Sequence, residues 1–179
     1  MKFSQSFLSG VYLVQLTPIE DERGFFARSF CKKEFATHGL ETFPVQCNIS
    51  FNKERGTLRG MHFQTPPHAE AKLVRCTAGI IYDIVIDLRT SSPTFTQWAT
   101  FELSSKNHTA LYIPEGFAHG FQTLTDNSEV FYQMFNFYEP ASAGGIRFND
   151  PAFNIEWPLE NPIISQKDKS YRDYDGFAL

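Results

Sequence analysis

The chain has 179 residues, of which 42% are hydrophobic and 20% charged, and this composition predicts one globular domain over residues 1–179 rather than a disordered chain. Its net charge of −4 argues against a general nucleic-acid-binding protein, which would carry a basic face, although a few arginines or lysines suffice for one phosphorylated ligand. No apolar stretch approaches the roughly 20 residues of a membrane span, and the 3 cysteines form no CxxC pair, so we expect a cytoplasmic protein without membrane contact.

Short β-type segments recur along the chain, and glycine or proline separates them. The predicted strands are Val11–Leu16, Gly24–Phe30, Pro44–Phe51, Thr57–Gln64, Ala71–Ala78, Ile80–Leu88, Trp98–Leu103, Ala110–Ile113 and Glu129–Tyr138. One short helix is predicted at Lys32–His38, and Gly39 would end it. Many short strands with little helix are typical of an all-β sandwich or closed barrel, and we expect a double-sheet jelly roll.

Residue parity assigns faces within the predicted strands. In Ile80–Leu88 the even-numbered residues are all apolar, whereas the odd-numbered ones include Asp83 and Asp87, which predicts one core face and one mixed face. A buried aspartate is costly unless it is paired, so Asp83 is interpreted either as a satisfied hydrogen-bond acceptor or as a site residue. Tyr132 and Tyr138 share parity and are therefore expected on one face of their strand.

The segment Thr57–Gln64 presents a conflict of parity. His62 and Gln64 fall on one face of this strand, and Arg59 falls on the other. Only an irregularity at Gly60, such as a β-bulge, would bring Arg59 and His62 to the same side.

Two segments resemble the paired motifs of the cupin superfamily. They are Gly56-Thr-Leu-Arg-Gly-Met-His62-Phe-Gln64, continuing to Lys72 and Gly79, and Pro114-Glu-Gly116-Phe-Ala-His119. Metal-binding cupins carry a second histidine where Gln64 stands and a glutamate close to where Lys72 stands. Glutamine is a poor ligand for a transition metal and an ammonium repels one, so no metal is expected here. A lysine in a dry pocket would instead stabilise a developing oxyanion, although Lys72 could also be a solvent-facing residue of a sheet edge.

A further set of segments occurs in a fixed order along the chain: Asp21–Phe26, Leu58–His62, Lys72–Arg75, Asp87–Arg89, Ser92–Thr94, Ile113–Gly120, Asp150–Pro151, Trp157–Pro158 and Lys167–Asp168. Through this ordered set the whole chain resembles one family within the cupins, the dTDP-4-dehydrorhamnose 3,5-epimerases. The resemblance runs from near residue 10 to near residue 168, and the ordered set is specific although no single segment is.

The resemblance implies a role for each matching residue and an enzyme that uses neither a metal nor a cofactor. His62 matches the general base, Tyr132 the proton donor, Asp168 the carboxylate that orients the histidine, and Lys72 a residue at the reacting sugar. It also implies a dTDP-sugar substrate and a homodimer, in which Arg23 commonly reaches the ligand across the interface. The residues that the resemblance places at the bound substrate are Arg23, Phe26, Gln46, Asn48, Arg59, His119 and Tyr138, with Gln46 and Arg59 at the nucleotide diphosphate.

The implied chemistry suits these residue types. A C4 ketone acidifies the protons on C3 and C5, and histidine is a base whose pKa lies near working pH. Removal of a proton leaves an enolate on O4, where the ammonium of Lys72 would sit. Tyr132 on the opposite wall would return a proton to the other face of the carbon, and we expect the nearby cation to lower its pKa.

Four positions depart from the best-known members of the rhamnose pathway: Arg28, Cys47, Ala143 and Phe148. All four fall where the family recognises its ligand, so the sugar or the nucleotide could differ while the chemistry is kept. An epimerase acting at C3 only or C5 only, on a dTDP- or a CDP-linked sugar, therefore stays open. Two further alternatives are a sugar-nucleotide binding module without turnover and a metal-dependent cupin oxygenase, against which Gln64 and Lys72 argue.

Overall fold

The computed structural model describes all 179 residues and contains fourteen strands and two short helices. The strands are β1 (Lys2–Gln5), β2 (Tyr12–Gln15), β3 (Ile19–Asp21), β4 (Gly24–Phe26), β5 (Gln46–Asn52), β6 (Thr57–Gln64), β7 (Lys72–Ala78), β8 (Ile80–Asp87), β9 (Trp98–Ser104), β10 (Thr109–Ile113), β11 (Phe117–Thr123), β12 (Ser128–Met134), β13 (Ala143–Gly145) and β14 (Ile163–Ile164). The helices are α1 (Lys32–Thr37) and α2 (Gln166–Lys169). The structure confirms the predicted all-β class with little helix.

Two six-stranded sheets face each other around a common core. The first sheet has the order β1-β2-β10-β7-β12-β5, and the second has the order β13-β6-β11-β8-β9 with β14 added alongside β6. β3 and β4 form a separate hairpin. Thirteen buried residues form the central cluster, among them Val74 and Val130 from the first sheet and Val85 and Phe121 from the second. This arrangement is the double-sheet jelly roll of the cupins.

The outer face of each sheet is also covered. The buried Phe35 of α1 packs against the first sheet, whereas Phe153, Tyr174, Phe177 and Leu179 pack against the second. β8 is therefore buried on both faces, because its apolar even-numbered residues lie under this C-terminal segment and its mixed odd-numbered face lines the interior. The mixed face predicted from parity is thus the inner wall of the barrel.

The main differences from the predicted strands lie at strand ends and in five strands that were not predicted, namely β1, β3, β11, β13 and β14. The segment predicted as Gly24–Phe30 is paired only as far as Phe26, because its sole partner is the short strand β3. The strand predicted to reach Tyr138 ends at Met134, so parity does not relate Tyr138 to Tyr132. β11 was not predicted, because Gly120 and a histidine interrupt its apolar pattern.

The helices are both short. α1 agrees with the predicted Lys32–His38 to within one residue, and Gly39 follows it with a φ of +68°. α2 was not predicted; Ser165 caps it by accepting a hydrogen bond from the backbone N–H of Asp168 at 3.0 Å. Neither helix has the length needed to cross a lipid bilayer.

Candidate active site

Two adjoining cavities open between the two sheets, with volumes of about 470 and 420 Å³. Three residues line both of them: His62, Lys72 and Tyr132. The first cavity is otherwise lined by Ile49, Ser50, Phe51, Arg59, His119, Gly120, Phe121 and Val130, and the second by Gln46, Asn48, Glu70, Met134, Tyr138, Ala143, Gly144, Lys167 and Tyr171. The residues assigned to proton transfer from sequence therefore meet where the cavities join.

His62 is held by a buried carboxylate. Its Nε2 lies 2.8 Å from Oδ1 of Asp168, and the second carboxylate oxygen accepts a hydrogen bond from the backbone N–H of Gly60. Burial acts to raise the pKa of Asp168, but the hydrogen bond and charge of His62 outweigh it and hold that pKa below its usual range. An ionised Asp168 fixes the proton on Nε2 and leaves Nδ1 as the basic nitrogen of the ring.

Gly60 resolves the parity conflict between Arg59 and His62. Between His119 and Phe121 of β11 the partner residues on β6 change from His62 to Arg59, so β6 carries one extra residue at this point. Gly60 has a φ of +125°, and a Cβ there would lie 2.5 Å from Cα of Gly120. The irregularity predicted at Gly60 is confirmed, and it brings both side chains into the first cavity.

Tyr132 faces His62 from the opposite sheet, since it lies on β12 and His62 lies on β6. The expected lowering of its pKa is wrong. Burial raises the pKa of Tyr132, the carboxylate of Glu70 raises it further, and Arg59 opposes them only in part. The tyrosine consequently keeps its proton at neutral pH, which is the state that a proton donor requires.

Lys72 lies inside the barrel rather than at a solvent-facing sheet edge, and its side chain is only 12% exposed. Its Nζ lies 2.8 Å from Oε1 of Glu70. The other carboxylate oxygen of Glu70 accepts a hydrogen bond of 3.0 Å from Nε2 of Gln64. The two residues that differ from metal-binding cupins are thus joined through one buried carboxylate.

A second histidine–carboxylate pair lies beside the first. His119 sits opposite His62 in the register of β11 and β6, and its Nε2 lies 2.9 Å from Oδ2 of Asp83. Complete burial raises the pKa of Asp83, while the charges of His119 and Lys72 oppose that effect. Asp83 therefore contacts His119, which lines the first cavity, through its Oδ2 atom. Its other carboxylate oxygen, Oδ1, has no hydrogen-bond partner.

The residues expected at the substrate divide into two groups. Gln46, Asn48 and Tyr138 line the second cavity, and Oε1 of Gln46 accepts a hydrogen bond from the backbone N–H of Tyr138. Arg23 and Phe26 line neither cavity of this protomer. They belong to the β3–β4 hairpin, where the side chain of Arg23 is 84% exposed and pairs only with Asp21.

Within one protomer, one of the four sequence departures lines a cavity. Ala143 lines the second cavity. On the surface, Nη1 of Arg28 lies 3.4 Å from Oε1 of Glu34, and Cys47 is exposed. Phe148 likewise lines neither cavity. Ala143 is thus the one departure that lines a cavity of a single chain, and a ligand role for the other three positions stays a prediction.

Sequence reasoning missed three residues of the second cavity that have polar side chains: Glu70, Lys167 and Tyr171. The ring of Tyr171 meets that of His62 nearly at a right angle, with their centroids 6.0 Å apart. Lys167 directly precedes Asp168 in a segment that matches the family, and this position next to a predicted catalytic residue could have marked Lys167 as a site residue. Glu70 and Tyr171 lie outside the strands, where periodicity gives no signal.

The structure contains no group of three or more His, Cys, Asp or Glu side chains placed to hold a metal ion. The ammonium of Lys72 pairs with the carboxylate of Glu70, and Lys72 lines both cavities together with His62. A fixed cation is therefore already present in the site, and it can stabilise negative charge on a bound ligand.

Known proteins share both the sequence and the fold of this chain. Residues 5–175 match the family model described as dTDP-4-dehydrorhamnose 3,5-epimerase. A curated protein of that name from Shigella flexneri is 48% identical over 149 residues, which are 83% of this chain and 82% of the relative.

Two solved structures extend the similarity. The dTDP-4-dehydrorhamnose 3,5-epimerase from Bacillus anthracis str. Ames, with TDP and PPi bound, has a TM-score of 0.94 and 40% identity, covering 97% of this chain and 99% of its own. A 3'-monoepimerase from Streptomyces bikiniensis in complex with dTDP-quinovose has a TM-score of 0.87 and 30% identity, covering 94% and 85%. The resemblance found in the sequence is confirmed: the chain belongs to the dTDP-4-dehydrorhamnose 3,5-epimerase family of isomerases.

Proposed function

We propose that this protein is an epimerase that inverts C3, C5 or both carbons of a dTDP-4-keto-6-deoxyhexose by proton transfer. One observation carries the proposal: His62 and Tyr132 lie on facing sheets, and both line the two cavities together with Lys72. Inversion at a carbon requires a base on one side and an acid on the other, and this arrangement supplies both. The family membership supports the nucleotide-sugar class of substrate.

The first step is removal of the proton next to the C4 ketone. His62 accepts it on Nδ1, since Nε2 is occupied by the hydrogen bond to Asp168. The carboxylate then lies beside the newly formed imidazolium and stabilises its charge. Because this stabilisation is larger after the proton has moved than before, it lowers the barrier of the step.

The second step is protonation from the opposite side. The electron pair left by the proton forms an enolate whose negative charge resides on O4, and the Lys72 ammonium stabilises it. Tyr132 delivers its own proton to the carbon. The resulting tyrosinate then recovers a proton from solvent, and the imidazolium of His62 releases to solvent the proton it took from the substrate. The pKa of Tyr132 is raised by burial and by Glu70, so the donor is fully protonated when the enolate forms.

The test is deuterium incorporation from D₂O into dTDP-4-keto-6-deoxyglucose, followed by NMR with the purified protein. We expect exchange at both C3 and C5 together with the epimerised product. Exchange at one carbon would restrict the activity to that centre. Absence of exchange with both dTDP- and CDP-linked sugars, despite tight binding, would overturn the epimerase and favour a binding module.

A single-centre epimerase is the second candidate, and one residue in the site favours it. Ala143 lines the second cavity at a position where an acidic residue is common in the family that the chain resembles, so the cavity lacks a carboxylate there. The 3'-monoepimerase from Streptomyces bikiniensis shares the fold over 94% of this chain. If an acidic side chain at this position decides whether one or both carbons are inverted, Ala143→Glu should increase deuterium exchange at the slower carbon. If it does not, the ratio of the exchange rates at C3 and C5 should stay unchanged.

We further propose a homodimer in which the β3–β4 hairpin completes the neighbouring site. Ile49 and Phe51 expose apolar side chains on the edge strand β5, and Phe25 and Phe26 do so on the hairpin. Exposed apolar surface at a sheet edge is a liability that pairing of two subunits removes. This arrangement would also bring Arg23 to a ligand that it does not reach within its own protomer.

Mixing two inactive variants tests the dimer. Light scattering should give twice the mass of the chain, and co-refolded Arg23→Ala and His62→Ala subunits should recover about one quarter of wild-type activity. The reason is that half of the dimers are mixed and each contains one intact site. A monomeric mass, or no recovery from a mixture that does exchange subunits, would contradict the shared site.

We also propose a cytoplasmic location, which the cysteines support. All 3 are unpaired, and Cys47 is exposed, as is common in a reducing compartment. Fractionation of cells that express the protein would test the location, and recovery outside the cytoplasm with a formed disulfide would contradict it.

A further inference from the structure

Glu70 is a buried carboxylate that belongs to the second cavity. It precedes β7, has only 9% of its surface exposed and holds two donors at once. Oε1 lies 2.8 Å from Nζ of Lys72, and Oε2 accepts the 3.0 Å hydrogen bond from Gln64. Gln64 is fixed in turn, since it donates to the backbone oxygens of His68 and Phe137.

These contacts hold the ammonium through a rigid chain of groups. Lysine has a flexible side chain whose four rotatable bonds cost free energy to order. Lys72 makes its only salt bridge with Glu70, so this carboxylate fixes where the positive charge lies between the cavities. A charge that is positioned before the reaction needs no reorganisation when the enolate forms.

Building on the proposed epimerase function, we propose that Glu70 is a positioning residue that fixes the Lys72 ammonium at the reacting sugar. The positioned ammonium stabilises chiefly the transition state, in which negative charge develops on O4 of the sugar. Loss of Glu70 should therefore lower kcat far more than it changes KM.

The carboxylate also acts on the proton donor, which provides an independent readout. Burial is the largest cause of the raised pKa of Tyr132, and the negative charge of Glu70 is the next largest. Removing its negative charge should thus move the basic limb of the kcat profile to lower pH. The other titratable or charged groups that line the cavities around Tyr132 are Arg59, His62, Lys72, His119, Tyr138, Lys167 and Tyr171, and the variants leave them all in place.

The experiment compares the full-length wild type with Glu70→Ala, Glu70→Gln and a matched control, Glu129→Gln. Glu129 lies on the same strand as Tyr132 but accepts a hydrogen bond from Thr77 instead of lining a cavity. We expect Glu70→Ala to lower kcat by about tenfold to a hundredfold with KM within about threefold. Glu70→Gln keeps one acceptor oxygen and should recover part of the loss, and Glu129→Gln should match the wild type.

The outcomes separate this inference from the function on which it rests. A wild type without exchange overturns the epimerase itself. An active wild type whose Glu70→Ala and Glu70→Gln variants keep its kcat and its pH profile overturns the role of Glu70 alone. Circular dichroism checks that both variants are folded, and Glu70→Gln supplies the pH profile even where Glu70→Ala does not fold.

Discussion

The imidazole of His62 and the carboxylate of Asp168 lie 2.8 Å apart, although 106 positions separate them in the chain. His62 comes from a central strand of the second sheet, and Asp168 comes from a four-residue helix that contacts this strand. The cap that Ser165 provides fixes the helix start, and the buried carboxylate then fixes the ring. The active base is thus assembled by tertiary packing rather than by a local motif.

The first prediction concerns the tautomer of that base. Asp168→Asn should keep the size of the side chain but present an amide that no longer holds the proton on Nε2. We expect kcat to fall about a thousandfold while the protein stays folded. Steady-state kinetics with a thermal melt measure both effects, and a loss below tenfold would show that the carboxylate does not orient His62.

The second prediction separates proton removal from proton return. Tyr132→Phe should lower product formation by about a hundredfold or more, because the acid on the opposite face is lost. Exchange of the substrate proton with D₂O should continue, since His62 still removes a proton and returns one to the same face. Parallel loss of exchange and of product would indicate that Tyr132 is needed for the first step, contrary to this assignment.

The third prediction tests the close approach at Gly60. A Cβ there would lie 2.5 Å from Cα of Gly120 and 2.9 Å from the backbone oxygen of His119, whereas at Gly24 it meets nothing within 4 Å. Both glycines have a positive φ, +125° at Gly60 and +129° at Gly24, so both alanine variants place a side chain at a φ that L residues rarely adopt. Gly60→Ala should lose about 1–3 kcal/mol more unfolding free energy than Gly24→Ala. Equal losses in urea denaturation would refute the steric argument.

The fourth prediction concerns stability away from the site. The buried carboxylate of Asp87 accepts hydrogen bonds from Arg89 at 2.7 Å and from Thr94 at 2.7 Å. Asp87→Asn leaves the guanidinium without its charged partner and should cost about 3–5 kcal/mol. The half-exposed pair of Arg147 and Asp173 is the control, and Asp173→Asn should cost less than about 1 kcal/mol.

The destabilisation caused by Asp87→Asn should also depend on pH. Burial acts to raise the pKa of Asp87, but the hydrogen bonds from Arg89, Ser92 and Thr94 outweigh it and lower that pKa. The stabilisation is therefore fully present above the unfolded-state pKa of about 3.9 and is lost as the pH falls through the lower folded-state value. The difference in unfolding free energy between wild type and Asp87→Asn should shrink at acid pH, and a constant difference would contradict this origin.

Much of the fold could be predicted because long strands carry a strong pattern. Thr57–Gln64 was predicted with its bounds intact, and Ile80–Leu88 differed by one residue. β11 was missed since Gly120 has low strand propensity and His119 interrupts the apolar pattern, and pairing with β6 and β8 overrides these local signals. Tertiary contacts likewise decide α2, which is too short to show helical periodicity.

The candidate site was predictable where a motif marked it and where the family resemblance assigned a role, as for Tyr132. The two histidines and Lys72 lie in segments whose spacing is visible in the sequence, and the structure places all three in the cavity lining. Glu70 and Tyr171 lie outside the strands, and their contacts arise only when loop and tail fold over the barrel. The direction of the pKa shift of Tyr132 was misjudged because neither the burial of its side chain, which is the largest cause, nor the neighbouring carboxylate of Glu70 was visible in the sequence.

The most direct test of the proposed chemistry is the rate of solvent exchange at the sugar carbons in wild type and in His62→Ala. With dTDP-4-keto-6-deoxyglucose in D₂O, the wild type should incorporate deuterium and His62→Ala should not. His38, which stacks on Phe3 near the surface, supplies the control variant His38→Gln, for which we expect wild-type exchange. Undiminished exchange in folded His62→Ala would contradict the assignment of the base and with it the central claim.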